Sequence, residues 1–122
     1  MEVDVRAIEK EDIKKYRNMK IAISSKSNVM SSELDTRFGR CKYFVIYDTE
    51  EKSTTFIENL AAEQMEGAGP TAFKQLVSLG VKKIVSGDFG VKIKTLCSDF
   101  DIQLIIMREK HTIEDIIKLL NH

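Results

Sequence analysis

Residues 70–107 read PTAFKQLVSLGVKKIVSGDFGVKIKTLCSDFDIQLIIM, a pattern that predicts two helices alternating with two strands. Pro70 is typical of a first helical position, and Gly80 of the position just past a helix end. Residues 83–86 are short and β-branched, as in a strand. The second helix is predicted by the i, i+4, i+7, i+8, i+11 spacing of one buried face, which holds Phe89, Ile93, Leu96, Cys97 and Phe100. Residues 102–107 predict a strand buried on both faces, since only Gln103 interrupts the apolar run.

The segments on either side of this unit complete an α/β order. Strands are predicted over 20–24, 43–48 and 53–58, and the last two form a hairpin. Thr112 is the predicted cap of a last helix with the apolar stripe Ile113, Ile116, Ile117 and Leu120. The β-β-β-α-β-α-β-α order predicts a three-layer α/β/α sandwich around a mixed five-stranded sheet. Its centre is expected to hold Ile21, Ile23, Val45, Ile84, Val85, Leu104 and Ile106.

The composition excludes several classes of protein. The 122 residues carry 19 Lys plus Arg and 19 Asp plus Glu, whereas a nucleic-acid binder usually shows a basic excess. No apolar run reaches the roughly 20 residues that span a bilayer, and no signal peptide is visible. Cys41 and Cys97 lack CxxC spacing, which argues against a structural zinc site. We expect a cytoplasmic protein that binds neither nucleic acid nor membrane, with a monomer favoured.

Met19 opens the first predicted strand and divides the chain in two. Residues 1–18 are charged and only weakly periodic, so we expect an N-terminal arm that is flexible or helical and carries no chemistry. Residues 19–122 are expected to form the binding domain, and removal of the arm is expected to leave this domain folded.

Three glycine-bearing turns lie next to the ends of predicted strands: Arg37-Phe38-Gly39-Arg40, residues 66–70 and residues 86–90. The second and third lead into helices, whose starts present free backbone N–H groups and the positive end of the helix dipole. Two such starts on one edge of a sheet, with two arginines nearby, predict an anion-binding pocket. The predicted binding residues are Ser24, Asn28, Arg37, Phe38, Gly39, Arg40, Cys41, Met65, Gly67, Gly69, Gly87, Asp88 and Gly90.

These motifs together resemble a known family. Residues 19–23, 37–48, 58–59, 67–69 and 86–90 follow the order and spacing of the dinitrogenase iron–molybdenum cofactor biosynthesis family, the NifX-like domains. The resemblance implies a ribonuclease-H-like α/β/α sandwich that binds an iron–molybdenum-type or related metal–sulfur cluster. It implies a carrier in cofactor assembly or delivery rather than a catalyst, with cluster donor and acceptor proteins as partners.

The resemblance has one departure with chemical consequences. Family members that carry nitrogenase cofactor tend to have His-Phe-Gly where this chain has Arg37-Phe38-Gly39. A histidine nitrogen ligates metal, whereas arginine only donates hydrogen bonds. The arginine favours binding of an anionic cluster through hydrogen bonds and charge, and no metal ligand is assigned. Cys41 is the open alternative, because its neighbours Arg40 and Lys42 are expected to favour the thiolate, although a lone cysteine that leads into a strand is more often structural.

Plainer roles are open for the same residues. Arg37 and Arg40 are both close enough in sequence to pair at the surface with Glu33 and Asp35. Several other residues have a structural alternative to binding: Phe38 as a core anchor, Cys97 as packing, Met65 as cover for apolar surface rather than a soft ligand, and His111 as a lone histidine that could reach the same edge.

An enzyme is not expected from this sequence. A ribonuclease-H-type nuclease needs clustered carboxylates, normally with one on the first strand, and residues 20–24 hold none. Asp88 is the lone carboxylate at its strand end, Asp48 lies at the far end of another strand, and no serine has a histidine at motif-like spacing. The alternative function is a regulatory or adaptor domain that binds a protein partner or a small anionic metabolite.

Overall fold

The computed structural model describes residues 19–108 and 110–121. Along them lie β1 (Lys20–Ser25), β2 (Tyr43–Asp48), β3 (Ser53–Glu58), α1 (Ala68–Ser78), β4 (Val81–Ser86), α2 (Val91–Asp99), β5 (Gln103–Ile106) and α3 (Ile113–Leu120). This is the predicted order. None of the helices in these ranges is long and apolar enough to cross a membrane. The arm expected over residues 1–18 lies outside the described residues.

The strands form one mixed sheet in the order β3-β2-β1-β4-β5. β2 pairs antiparallel with β1 and β3, whereas β4 runs parallel to β1 and β5. Ser25 therefore lies opposite Tyr43, and Tyr43 lies opposite Glu58. The ends of β1, β3, β4 and β5 and the start of β2 share one edge, called the carboxyl edge below. In open α/β sheets this is the edge at which ligands bind.

Side chains alternate along each strand, so the sheet has an apolar cluster on each face. Helices cover both clusters. On one face, α1 and α2 cover a cluster that includes the strand residues Ala22 and Ile84. On the other face, α3 covers a cluster that includes Ile21, Ile23, Val45 and Val85. The three-layer α/β/α sandwich is therefore confirmed, and the ribonuclease-H-like description stays a prediction.

β5 is not buried on both faces, as the apolar run had predicted. Ile106 is 41% exposed and Leu104 is half-buried, although both were expected at the centre of the sheet. The reason is topological, since β5 takes the last place in the strand order and, among the described residues, has no strand on its outer side. An apolar run predicts burial of its residues, but it does not reveal which strand ends the sheet.

Two helix boundaries also differ from prediction. α1 begins at Ala68, so Pro70 is its third residue rather than its first. Proline is accepted there because the first-turn N–H groups lack helical partners in any case. α2 excludes both Phe89, which is buried before the helix, and Phe100, which is 51% exposed. The Phe100 ring instead packs against Phe73, with their ring centroids 5.5 Å apart.

Candidate binding site

Three loops that contain the predicted binding residues meet at the carboxyl edge. Residues 26–42 connect β1 to β2, residues 59–67 lead into α1, and residues 87–90 lead into α2. An isolated β-bridge joins Arg37 to Asp88, so the first loop lies directly against the third. The topology thus brings together residues that are far apart in the sequence.

Burial separates the predicted binding residues into three groups. The buried ones are Ser24, Phe38, Cys41 and Gly87. Gly39 and Gly69 are half-buried. The exposed ones are Asn28, Arg37, Arg40, Met65, Gly67, Asp88 and Gly90. Only the second and third groups are accessible to a ligand, and the first group shapes the surface beneath them.

Phe38 anchors residues 35–41, called the Arg37 loop below, in the core as predicted. Its ring centroid lies 5.5 Å from that of Phe89 and 5.6 Å from that of Phe44. Phe44 belongs to β2, and Phe89 lies in the loop before α2. One aromatic cluster therefore ties the Arg37 loop to the start of α2.

A buried carboxylate orients the Arg37 side chain. The side chain of Asp35 is 4% exposed, whereas that of Arg37 is 67% exposed. Asp35 Oδ1 accepts hydrogen bonds from the Arg37 backbone N–H at 2.9 Å and from its Nε at 3.2 Å, and Oδ2 accepts one from Nη2 at 3.1 Å. These hydrogen bonds and the negative charge of Asp35 raise the pKa of Arg37. The predicted pairing of Arg37 with Asp35 is confirmed. It is not a surface pair as expected, because the Asp35 carboxylate is buried.

Two buried serines fix the backbone of Asp35. The Oγ of Ser24 donates to the Asp35 carbonyl oxygen at 2.6 Å and lies 2.7 Å from the Oγ of Ser86. The Asp35 backbone N–H donates to the Ser24 carbonyl at 2.9 Å. Ser24 lies near the end of β1 and Ser86 ends β4, so two adjacent parallel strands position the start of the Arg37 loop.

Close contacts of two glycines press the Arg37 loop against both helix starts. A Cβ on Gly39 would lie 2.8 Å from the backbone N of Gly69, in the first turn of α1. A Cβ on Gly87 would lie 2.5 Å from the Cβ of Thr36. Real side chains do not fit at such distances, so the close approach requires glycine.

Arg40 donates to backbone carbonyls of residues 59–67 instead of pairing with an acidic side chain. Its Nη1 donates to the carbonyls of Ala62, at 3.3 Å, and Gln64, and its Nη2 donates to the carbonyl of Met65 at 3.3 Å. The alternative that Arg40 pairs with a nearby acid is therefore wrong within the described residues. Arg40 therefore stabilises the loop that leads into α1, and some of its N–H groups are already used in these hydrogen bonds.

Asn59 is a buried residue of this edge that sequence reasoning did not place in the site. Its Nδ2 donates to the carbonyls of Gly39 at 3.1 Å and Cys41 at 2.8 Å, and its Oδ1 accepts from the Ala61 N–H at 3.0 Å. Asp35 and Ser86 were likewise missed as supports. For Ser86 and Asn59 the available signal was a polar residue at the end of a strand or directly after one, where the backbone of a neighbouring loop needs partners.

The cysteines are poor metal ligands as placed. Burial, with the nearby charge of Asp35, raises the pKa of the Cys41 thiol from 9.0 to about 12. The predicted thiolate is therefore wrong, because desolvation outweighs the neighbouring cations of the sequence. The Cys41 Sγ donates to the Phe38 carbonyl at 3.3 Å. Cys97 is buried as predicted, and burial raises its thiol pKa to about 11.

Other candidate ligands do not cluster. The described residues contain no group of three or more His, Cys, Asp and Glu side chains that could hold a metal ion. Met65 is 92% exposed, so it does not cover apolar surface as expected. His111 follows β5 at the carboxyl edge, where its carbonyl accepts from the Leu34 N–H at 2.9 Å.

The start of α3 is capped by the protein itself. The Thr112 side chain accepts from the Asp115 N–H at 3.1 Å. The carbonyls of Ser32 and Met30, in the loop after β1, accept from the N–H groups of Ile113 and Glu114 at 2.9 and 3.0 Å. The N–H groups of this first turn are therefore already satisfied.

The starts of α1 and α2 are different. Their N-caps are Gly67 and Gly90, which make no side-chain cap hydrogen bond. Among residues 19–108 and 110–121, no acceptor faces the backbone N–H groups of Ala68, Gly69, Val91 and Lys92. Gly69 lies beside Ile93 of α2, since an added Cβ would be 3.2 Å from the Ile93 Cδ1. Two uncapped helix starts thus lie together beside the Arg37 loop.

The family comparison matches the segment that builds this edge. The model of the family described as dinitrogenase iron–molybdenum cofactor matches residues 19–122. The chain belongs to this family. The resemblance inferred from the sequence motifs is therefore confirmed. An uncharacterized protein of Methanocaldococcus jannaschii is 31% identical over 110 residues, which are 88% of this chain and 89% of that protein.

Solved structures share the fold of this dinitrogenase iron–molybdenum cofactor family member. The apo form of the orange protein from Desulfovibrio gigas has a TM-score of 0.78 at 22% identity, covering 84% of this chain and 86% of that chain. A Thermotoga protein described as a candidate NifB protein of the DUF35 family has a TM-score of 0.72 at 28% identity, with coverage of 84% and 86%. The sandwich is therefore common to proteins of divergent sequence.

Proposed function

We propose that the protein carries an anionic metal–sulfur cluster, of iron–molybdenum or a related type, as cargo in cofactor assembly or delivery. Membership in the dinitrogenase iron–molybdenum cofactor family supports this class of cargo. The proteins that donate or receive the cluster are its proposed partners, and the cytoplasm is its proposed location. The proposal assigns no catalytic residue.

The observation that carries the proposal is the pair of uncapped helix starts beside the Arg37 loop. The N–H groups of Gly69, Val91 and Lys92, residues that are half-buried or exposed, are donors at the positive ends of two helix dipoles. Sulfides and the net negative charge of a cluster make it a suitable acceptor, because charge-assisted hydrogen bonds are stronger than neutral ones. The Arg37 guanidinium adds exposed donors next to them.

Binding is proposed to be outer-sphere, through hydrogen bonds and charge rather than through a protein–metal bond. The raised pKa of the Cys41 thiol disfavours the thiolate that a soft metal needs. Arginine cannot ligate metal, and its planar fork suits several acceptor atoms at once. Arg37 is the proposed direct contact, and Arg40 acts through the loop that it braces.

Anaerobic purification followed by elemental analysis tests for a cargo cluster. A carrier is expected to show charge-transfer absorption and stoichiometric iron, molybdenum or copper. Apo-protein is then mixed with tetrathiomolybdate, an anionic metal sulfide, and passed through gel filtration with metal counting. Molybdate serves as the matched oxoanion, since it has the same charge without the sulfides.

Variants distinguish outer-sphere binding from ligation. We expect Arg37→Gln to lower retention of tetrathiomolybdate and Cys41→Ser to change it little. Release of metal by Cys41→Ser alone would reassign the site to thiolate ligation. Full retention by the Arg37→Gln, Arg40→Gln double variant would refute the role of charge. A colourless wild-type protein that retains no tetrathiomolybdate would refute the carrier proposal.

A second candidate is the adaptor function, favoured by exposed apolar side chains near the same edge. Leu60 and Met65 lie in the loop before α1, and Val91 is the first residue of α2; all three are largely exposed. Such side chains are common where a partner protein binds. An adaptor would stay free of metal in the purification above while binding a partner through this loop.

A further inference from the structure

Among the residues that the structure describes, Asp35 is the one charged residue that is buried. Burial of an unpaired carboxylate is costly, so such groups are normally surrounded by donors. The donors observed at its Oδ1 and Oδ2 come from Arg37, namely the backbone N–H, Nε and Nη2. The buried carboxylate of Asp35 thus accepts its observed hydrogen bonds from one residue, Arg37, whose guanidinium is exposed.

We propose that Asp35 is the positioning residue that presents Arg37 to the anionic cargo. This inference rests on the proposed function and names the group that sets the geometry of that site. Nε and Nη2 form the edge of the guanidinium that faces Asp35. An arginine has five N–H groups in a rigid planar fork, so the two on Nη1 and the second on Nη2 point away from the carboxylate.

The support beneath Asp35 makes this arrangement rigid. Its backbone is bonded to Ser24 through both its N–H and its carbonyl. Three residues after Asp35, Phe38 packs against the rings of Phe44 and Phe89. The bidentate bond therefore connects an exposed side chain to a buried, hydrogen-bonded part of the edge. Ordering the side chain before binding removes part of the entropic cost of binding.

Asp35 could also lower the affinity for an anion instead of raising it, and the two roles predict opposite effects of Asp35→Asn. If the carboxylate acted only as a negative charge, it would partly neutralise Arg37 and weaken anion binding. Its replacement by asparagine would then strengthen binding. If the carboxylate positions Arg37, the same replacement weakens binding, although it makes the site more positive by one charge. The direction of the change separates the two.

The experiment is an anaerobic titration with tetrathiomolybdate of wild type, Asp35→Asn and the matched control Asp88→Asn. Asp88 is an exposed carboxylate at the same edge, so its replacement makes the same charge change without touching the guanidinium–carboxylate bond. We expect Asp35→Asn to weaken binding about fivefold, as for loss of one oriented charge-assisted hydrogen bond. Asp88→Asn is expected to strengthen it up to about twofold.

Two further variants test whether Asp35 acts through Arg37. Asp35→Asn in an Arg37→Gln background is expected to cause no further loss of affinity, and at most the small gain of the added positive charge, whereas a general structural defect would lower affinity in both backgrounds. Arg37→Lys keeps the charge and an ion pair but loses the fork, and it should weaken binding about as much as Asp35→Asn. If Asp35→Asn does not fold, Arg37→Lys carries the test. Wild-type affinity in Arg37→Lys would overturn the proposal.

A measurement without cargo keeps this inference separate from the proposed function. In ¹⁵N NMR of the cargo-free protein, the Arg37 Nε–H is expected to be rigid and slow to exchange in wild type and mobile in Asp35→Asn. A mobile Nε–H in wild type would overturn the positioning role even if cargo binds. A rigid Nε–H in a wild type that is colourless and binds no tetrathiomolybdate would refute the carrier proposal and leave the orienting bond intact. Tighter binding by Asp35→Asn would also overturn the inference.

Discussion

The start of α3 and the starts of α1 and α2 lie at the same edge of the sheet but are built differently. At α3, Thr112 caps the helix, and Glu114 and Asp115 place carboxylates in its first turn. α1 and α2 begin after glycines and have no acidic residue in the first turn. Glycine at an N-cap is less stabilising than Asp, Asn, Ser or Thr by about a few tenths of a kcal/mol, so these two starts forgo part of the possible stabilisation. The chain thus supplies negative charge to one helix dipole itself, and the other two dipoles are those that we propose for an external anion.

The largest expected effect comes from separating the Arg37 loop from the start of α1. Gly39→Ala places a Cβ 2.8 Å from the backbone N of Gly69, and backbone on both sides must move. We expect a loss of about 2–3 kcal/mol in the free energy of unfolding, as for overpacking, measured by urea denaturation. Gly90→Ala is the control, since a Cβ there meets nothing within 4 Å. A loss under 1 kcal/mol for Gly39→Ala would mean that the two elements are not pressed together.

The second prediction concerns a substitution that adds a side-chain cap to the uncapped start of α2. Gly90 has φ −70° and ψ 164°, the backbone conformation of an ordinary N-cap, so Asp fits there. Gly90→Asp is expected to stabilise the fold by a few tenths of a kcal/mol and to weaken tetrathiomolybdate binding about tenfold, or about 1.4 kcal/mol. The physical reason is that the new carboxylate takes the N–H groups and repels the anion.

Gly90→Ser is the neutral control for this change. Its hydroxyl offers a cap without charge, so we expect a smaller loss of affinity than with Asp. Unchanged tetrathiomolybdate affinity in Gly90→Asp, measured by the same titration, would show that the start of α2 is not part of the binding surface. The comparison between the helix starts would then concern stability alone.

Sequence periodicity predicted most of the fold because apolar spacing reports local burial. It gave all the described helices and strands in the right order, including the Thr112 cap. It placed β5 at the centre of the sheet, because an apolar run of residues 102–107 does not encode which neighbour a strand has. The exposure of Ile106 follows from the strand order, which is set by long-range pairing.

The candidate site was predicted in its backbone and less well in its side chains. Glycines next to strand ends report backbone geometry, so the meeting of the loops could be inferred. The partner of each polar side chain depends on three-dimensional proximity. Arg40 reaches carbonyls more than 20 residues away, and the thiol of Cys41 is governed by burial rather than by its charged sequence neighbours. Neither fact is visible in local sequence.

The third prediction removes the cap that distinguishes α3. Thr112→Ala deletes the side-chain acceptor of the Asp115 N–H. We expect a loss of about 1 kcal/mol in the free energy of unfolding with unchanged tetrathiomolybdate affinity, because the α3 start lies outside the proposed binding surface. Denaturation and titration of the same preparation provide both values. Weaker cargo binding in a fully folded Thr112→Ala protein would show that all three helix starts are coupled.

The smallest expected effect concerns the thiol at this edge, which must stay neutral if N–H groups rather than a thiolate bind the cargo. Burial raises the pKa of Cys41 from 9.0 to about 12, so between these values the folded protein binds more protons than the unfolded chain. Stability therefore falls as pH rises above about 9.

Urea denaturation at pH 8 and pH 9.5 is expected to show a loss of somewhat less than about 1 kcal/mol from Cys41, seen as the difference between wild type and Cys41→Ser. Cys97 and every other group titrate in both proteins, so the difference isolates Cys41. Equal losses in the two proteins would mean that Cys41 ionises as readily in the folded state as in the unfolded one. An accessible thiolate would then compete with the two open helix starts as the binding group.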